Sequence, residues 1–138
     1  MPDSTKKQVR ELELDAVSYS KIGHHSKAES TIKKALELKP RSNHLNHELA
    51  KIHLRSKQYE KALEILLTLS NKTKNREILF KDIGLSYFGM GKLEKALEAS
   101  DVSLSEKQDY VEALTLKGKS LREDRKSTRL NSSHALIS

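Results

Sequence analysis

The chain contains no cysteine. Disulfides, thiolate metal sites and thiol catalysis are therefore excluded. No run of about 18 apolar residues occurs, so no membrane-spanning helix is expected. Residues Met1 to Arg10 are polar and hold no apolar stretch, which argues against a cleaved secretory signal. A cytoplasmic protein without membrane contact is the expectation. Catalytic signatures are missing as well: there is no P-loop, no G-x-G-x-x-G and no G-x-S-x-G. The G-x-G at Gly89 to Gly91 falls between two helical patterns and reads as a turn. Carboxylates are scattered along solvated helix faces instead of paired. A protein without enzymatic activity, cofactor or metal is expected.

What is present is charge and helix-forming residues. Of 138 residues, 33% are charged and 36% apolar, with a mean hydropathy of −0.68. This is polar but foldable, and too apolar for a wholly disordered chain. The length allows one domain or a short array of repeats. The formal charge, 26 − 19 = +7, invites a nucleic-acid partner.

Composition shifts near residue 124. The last fifteen residues read D-R-K-S-T-R-L-N-S-S-H-A-L-I-S, and the apolar period of 3.6 residues is lost. Asp124 to His134 resemble, without a mismatch, the in-frame translation of a widely used short-read sequencing adapter. Residues 124–138 are accordingly read as an artefactual tail with no native fold. Setting aside Asp124, Arg125, Lys126 and Arg129 leaves 23 − 18 = +5 over residues 1–123. That charge is modest, and the lysines alternate with glutamates, as in Glu60-Lys61 and Glu94-Lys95. Such a surface reads as a salt-laced solvent face, so nucleic acid is disfavoured.

The remainder repeats itself. Ala28, Ala62 and Ala96 recur at a constant spacing of 34, as do Ala16, Ala50, Gly84 and Gly118. Tyr19, His53, Tyr87 and Leu121 form another ladder at the same spacing. One register accommodates all of them without insertion. It places an N-terminal extension of the first helix at 1–8 and repeats at 9–42, 43–76 and 77–110. The first helix of a truncated fourth repeat follows at 111–123. Within a unit the apolar residues take helical spacing twice, separated by a turn. The small residues at Ala16, Ala50, Gly84 and Gly118, and at Ala28, Ala62 and Ala96, are expected where two helices approach most closely. Ser26 and Glu29 have capping-box spacing at a second helix, and Pro40 is expected to end that helix.

This ladder resembles the tetratricopeptide repeat, whose motif runs W-x2-L-G-x2-Y, A-x3-F, A, P with a period of 34. The third repeat carries Phe80 in the Trp position, then Ile83, Gly84, Tyr87 and Ala96. The first carries Leu12, Ala16, Tyr19, Gly23, Ala28, Ile32, Ala35 and Pro40. The departures are the missing Trp, the missing Pro after repeats two and three, and polar Ser100 and Ser103. Pentatricopeptide repeats, which bind RNA, have a period of 35, and three steps of 34 argue against them. The resemblance implies an all-α solenoid, a right-handed superhelical array of antiparallel helix-turn-helix hairpins.

It also implies a function. In the family, a peptide of a partner protein lies in the groove formed by the first helices. Carried onto this chain, groove positions include His47, Lys51, Leu54, Ile78, Lys81, Leu85, Phe88 and Lys119. An acidic and apolar peptide suits this set. Members that grip a chaperone's C-terminal carboxylate use Lys, Asn and Arg at positions that here hold Glu13, Val17, Glu48, Ile78 and Asp82. Three of the five are acidic and none is basic, so no such tail is expected to bind. Family analogy also leaves room for a docking arm of a larger sulfotransferase or glycosyltransferase, and more distantly for an RNA-binding repeat. The uncapped face of the last helix is expected to favour self-association. His44 and His47 are spaced i, i+3 and could ligate a metal, but spacing places no further ligand beside them. A polar groove face is the expected role.

Overall fold

The computed structural model describes residues 3–137, with side chains through Leu130. The described residues form seven helices: α1 (Asp3–Lys21), α2 (His25–Leu38), α3 (Asn43–Arg55), α4 (Tyr59–Thr68), α5 (Arg76–Gly89), α6 (Leu93–Glu106) and α7 (Val111–Ile137). No strand occurs among them. No helix is long and apolar enough to cross a membrane among the described residues.

The turn inside each hairpin is the same object three times. The N–H of His24 donates to the Tyr19 carbonyl at 2.9 Å, that of Gln58 to His53 at 2.8 Å and that of Lys92 to Tyr87 at 2.9 Å. One residue earlier, Gly23, Lys57 and Gly91 donate to the carbonyls of Ser20, Leu54 and Phe88. This pair of bonds is the Schellman closure, which requires a left-handed residue just past the helix. Gly23 (φ 88°), Lys57 (φ 63°) and Gly91 (φ 77°) occupy that position. The turn recurs once per repeat because its hydrogen bonds recur. At the corresponding fourth position stands Arg125, and α7 runs straight through it.

These closures correct the expected cap on α2. His24 is the residue before the helix and makes no side-chain capping bond. Ser26 therefore lies inside the first turn, and Glu29 instead meets Lys33 at 3.0 Å. A side-chain cap forms on α3, where the Ser42 hydroxyl accepts the N–H of Leu45 at 3.2 Å.

The chain divides into two units, 1–73 and 74–138. In the first, α1 packs on α2, α2 on α3, α3 on α4, and α1 also meets α3. Its core contains Val9, Ala16, Ala28, Ile32, Ala35, Leu45, Leu49 and Ile52. In the second, α5 packs on α6, α6 on α7, and α5 also meets α7. Its buried residues include Leu79, Ile83, Ala96, Ala99, Ala113 and Leu116. Ser100 and Ser103 are fully buried there. Their hydroxyls are satisfied by carbonyls, Ser100 by Ala96 at 2.8 Å and Ser103 by Glu77 at 2.6 Å, so neither is a packing defect.

The small-residue ladder holds for three repeats. Ala16, Ala28, Ala35, Ala50, Ala62 and Ala96 are fully buried. A Cβ on Gly84 would come within 2.6 Å of the Leu116 side chain and 3.4 Å of Ala96 O and Ala99. Gly118 is a correction: it is exposed, and a Cβ there would meet nothing within 4 Å. Its counterparts Ala16, Ala50 and Gly84 are buried, whereas α7 is one continuous helix with no second helix following it among the described residues. Pro40 is exposed in the turn just past the end of α2 at Leu38. Tyr19 and Tyr87 are half-buried, each beneath a lysine: Lys27 Nζ lies 4.7 Å from the Tyr19 ring and Lys95 Nζ 5.5 Å from that of Tyr87. Beyond Glu123 the helix continues through the segment matched to the adapter, with residues 125–130 exposed.

Candidate functional site

First helices supply the candidate surfaces. In the second unit, α5 and α7 border an open cavity of about 290 Å³. Its lining comprises Lys81, Leu85, Phe88, Val111, Glu112, Thr115, Leu116 and Lys119. Four of the expected groove residues, Lys81, Leu85, Phe88 and Lys119, thus share one cavity. Leu85 and Phe88 are half-buried, so each still offers apolar surface. Val111 is 67% exposed, an unusual value for a valine on a packed helix. The floor is therefore apolar and the rim charged.

The rim is not uniformly basic. Lys81 Nζ meets Asp82 Oδ1 at 2.6 Å, and Asp82 is buried. Lys81 is thereby held in place and its charge partly balanced. Lys119 is exposed. Close by, burial pushes the Tyr110 hydroxyl up to about 12, and the carboxylates of Glu112, Asp82 and Glu77 push in the same direction. Tyr110 therefore stays a neutral donor throughout the ordinary pH range. Ile78 is half-buried on α5 and does not line this cavity.

The first unit presents a different face. His47, Lys51 and Leu54 lie on α3 and are half-buried. Lys51 Nζ meets Glu48 Oε1 at 3.1 Å. His44 Nε2 is hydrogen-bonded to Glu13 Oε1 of α1. Sequence spacing pairs His44 with His47. The fold instead brings Glu13 and Glu48 to His44, with one ligand atom from each within 4.8 Å of the others. Glu48 is legible as the i+4 neighbour of His44 on one helix. Glu13 is not, because it arrives from another helix 31 residues earlier.

His53, in the slot that holds Tyr in repeats one and three, is buried. Burial holds its imidazole below the ordinary value, opposed by Glu29 and assisted by Lys61 and Lys33. Lys61 is the repeat equivalent of Lys27 and Lys95. Its charge faces an aromatic ring in the outer repeats and a titratable one here.

The positions that a carboxylate-gripping relative would make basic remain acidic in three dimensions. Glu48 and Asp82 are buried beside Lys51 and Lys81, and Glu13 is bonded to His44.

Residues 23–81 match the family model described as Tetratricopeptide repeat. No curated protein matches the chain. Among solved structures, the first TPR of Spaghetti (RPAP3) bound to the HSP90 peptide SRMEEVD is 19% identical, with a TM-score of 0.74. That match covers 85% of this chain and 93% of the other. The second TPR domain of human RPAP3, in complex with the HSP70 peptide SGPTIEEVD, is 17% identical with a TM-score of 0.72, covering 84% and 97%. An O-GlcNAc transferase mutant from Thermobaculum terrenum is 17% identical with a TM-score of 0.77. That match spans 88% of this chain but only 23% of the enzyme. At these identities the structures show a shared fold. Residues 23–81 thus match the tetratricopeptide repeat, and the described residues share the fold of these structures, with its ladder of buried small residues and Schellman turns.

Proposed function

We propose that this chain is a protein-interaction scaffold that seats a partner peptide on the first-helix face of residues 74–138. The carrying observation is the α5/α7 cavity, an apolar floor of Leu85, Phe88, Val111 and Leu116 with Lys81 and Lys119 at its rim. A cavity of about 290 Å³ suits one large apolar side chain, which would supply affinity as a buried anchor. The lysines would orient acidic flanking residues and raise the on-rate more than the affinity. Two of the structural relatives named above are complexes with chaperone peptides. A chaperone C-terminal carboxylate is not the proposed ligand, because Glu13, Glu48 and Asp82 stand where it would be gripped.

The test is calorimetry with acidic peptides that carry one Leu or Phe anchor, compared with the same peptides bearing Ala there. Anchor-dependent binding is expected, with Phe88→Ala weakening it by about tenfold or more. Lys119→Glu is expected to slow association and change the salt dependence. Binding indifferent to both substitutions would overturn the groove assignment. Uptake of single-stranded RNA with a steep salt dependence would point to nucleic acid instead. A second reading, a docking arm of a larger glycosyltransferase, rests on the match to part of the O-GlcNAc transferase. Sequencing the gene beyond the codon for Glu123 tests it.

A further inference from the structure

A separate cluster lies in residues 1–73, and it does not depend on the α5/α7 cavity. We propose that Glu13, His44 and Glu48 form a binding site for a divalent transition-metal ion of the zinc type.

The three ligand atoms lie within 4.8 Å of one another. Ligands bound at about 2.0–2.1 Å in a tetrahedron stand roughly 3.3 Å apart. Closing the set onto an ion therefore takes side-chain shifts of little more than an ångström. The backbone supports this. Val9 of α1 and Leu45 and Leu49 of α3 share one core, so the helices carrying the ligands are fixed against each other. Glu48 is one turn along from His44 and nearly buried, with 11% of its side chain exposed. His44 Nε2 already faces the Glu13 carboxylate.

Two carboxylates converge on one imidazole; Lys51 is bonded to Glu48, and Lys6, Arg10 and Lys39 line the pocket that Glu13 and His44 share. A dication satisfies both carboxylates and needs only the neutral form of His44. One nitrogen and two oxygens are donors that zinc accepts, and three protein ligands leave a coordination position open.

Zinc titration of the untagged chain by calorimetry at neutral pH tests the assignment, with circular dichroism to check that each variant keeps its helices. One equivalent is expected to bind. His44→Ala and Glu13→Gln should each weaken it at least about tenfold, the loss that even an outer partner of a ligand causes. Lys51→Gln should tighten it, because the cation competing for Glu48 is gone. A merely structural role for Lys51 predicts no such gain. Absence of uptake at millimolar zinc would overturn the proposal. So would uptake unchanged by His44→Ala and Glu13→Gln, which would move the metal to His24, His25 or His47.

Discussion

Residues 1–73 and 74–138 use one architecture for two chemistries. Both build first helices onto second helices through Schellman turns and buried small residues. Yet the α1/α3 face is polar, with Glu13, His44, Glu48 and Lys51, whereas α5 and α7 border an apolar cavity. The contrast separates two classes of position. Turn and closest-approach positions are dictated by backbone geometry and so recur in every complete repeat. Exposed positions of the first helices carry no such constraint, and they hold what differs between units.

The cores differ in the same spirit. The first unit buries an aliphatic cluster together with Ser20, Glu48 and His53. The second buries Asp82, Ser86, Ser100, Ser103 and Ser120 among its aliphatic residues. The hydroxyls of Ser86, Ser100 and Ser103 are each accepted by a helix carbonyl, whereas that of Ser120 has no hydrogen-bond partner among the described residues. Ser86 reaches Asp82 O at 3.1 Å.

Several substitutions would break or sharpen the comparison. The largest effect is expected from Gly84→Leu. Even a Cβ there meets Leu116 at 2.6 Å, and a full side chain would push α5 from α6 and α7. A loss of about 3 kcal/mol is expected, read as lost hydrogen-exchange protection in α5 and α6 with little change in α1 and α2.

The pH response should differ as well. Burial lowers the His53 pKa, so the folded state prefers its neutral form and the unfolded chain binds the proton more readily. The contribution of neutral His53 is complete above its ordinary value of 6.5 and is lost as pH falls below it. Acidification through that range should weaken exchange protection in α3 and α4 first. His53→Tyr, which restores the residue of the outer repeats under Lys61, should abolish that dependence. If the variant keeps the same pH profile, His53 is not its source.

Smaller effects concern the glycine positions. Gly118→Ala should stabilise by about 1 kcal/mol, since the helix gains propensity and no atom is in the way. Lys57→Gly should stabilise by roughly 0.5–1 kcal/mol, because its φ of 63° suits glycine better than lysine. A thermal melt checks each, and the opposite sign at Gly118 would show that α7 packs differently there. The least effect is spectroscopic. Tyr110 should titrate near 12 in an ultraviolet pH titration, and Glu112→Gln should move it down.

Much of this is legible in the chain. The all-α repeat fold follows from the recurrence of Ala28, Ala62 and Ala96, because a close helix approach admits only small side chains. Lys81, Leu85, Phe88 and Lys119 fall together in the register alone, because helical repeats put equivalent positions on one face. Gly118 misleads for want of a neighbour: its place in the ladder says nothing about whether a second helix is there to meet it. The α2 cap misleads because Ser26 and Glu29 compete with the turn closure at His24, and the backbone bonds prevail.

By itself, then, the sequence determined the period of the repeat and its all-α character. These depend on interactions within a few residues, or on a periodicity that repeats them. Only the tertiary structure decided that Glu13 meets His44 and that α5 and α7 leave a cavity between them. Those outcomes depend on the rotation and spacing of helices distant in sequence, which packing sets and local propensity does not.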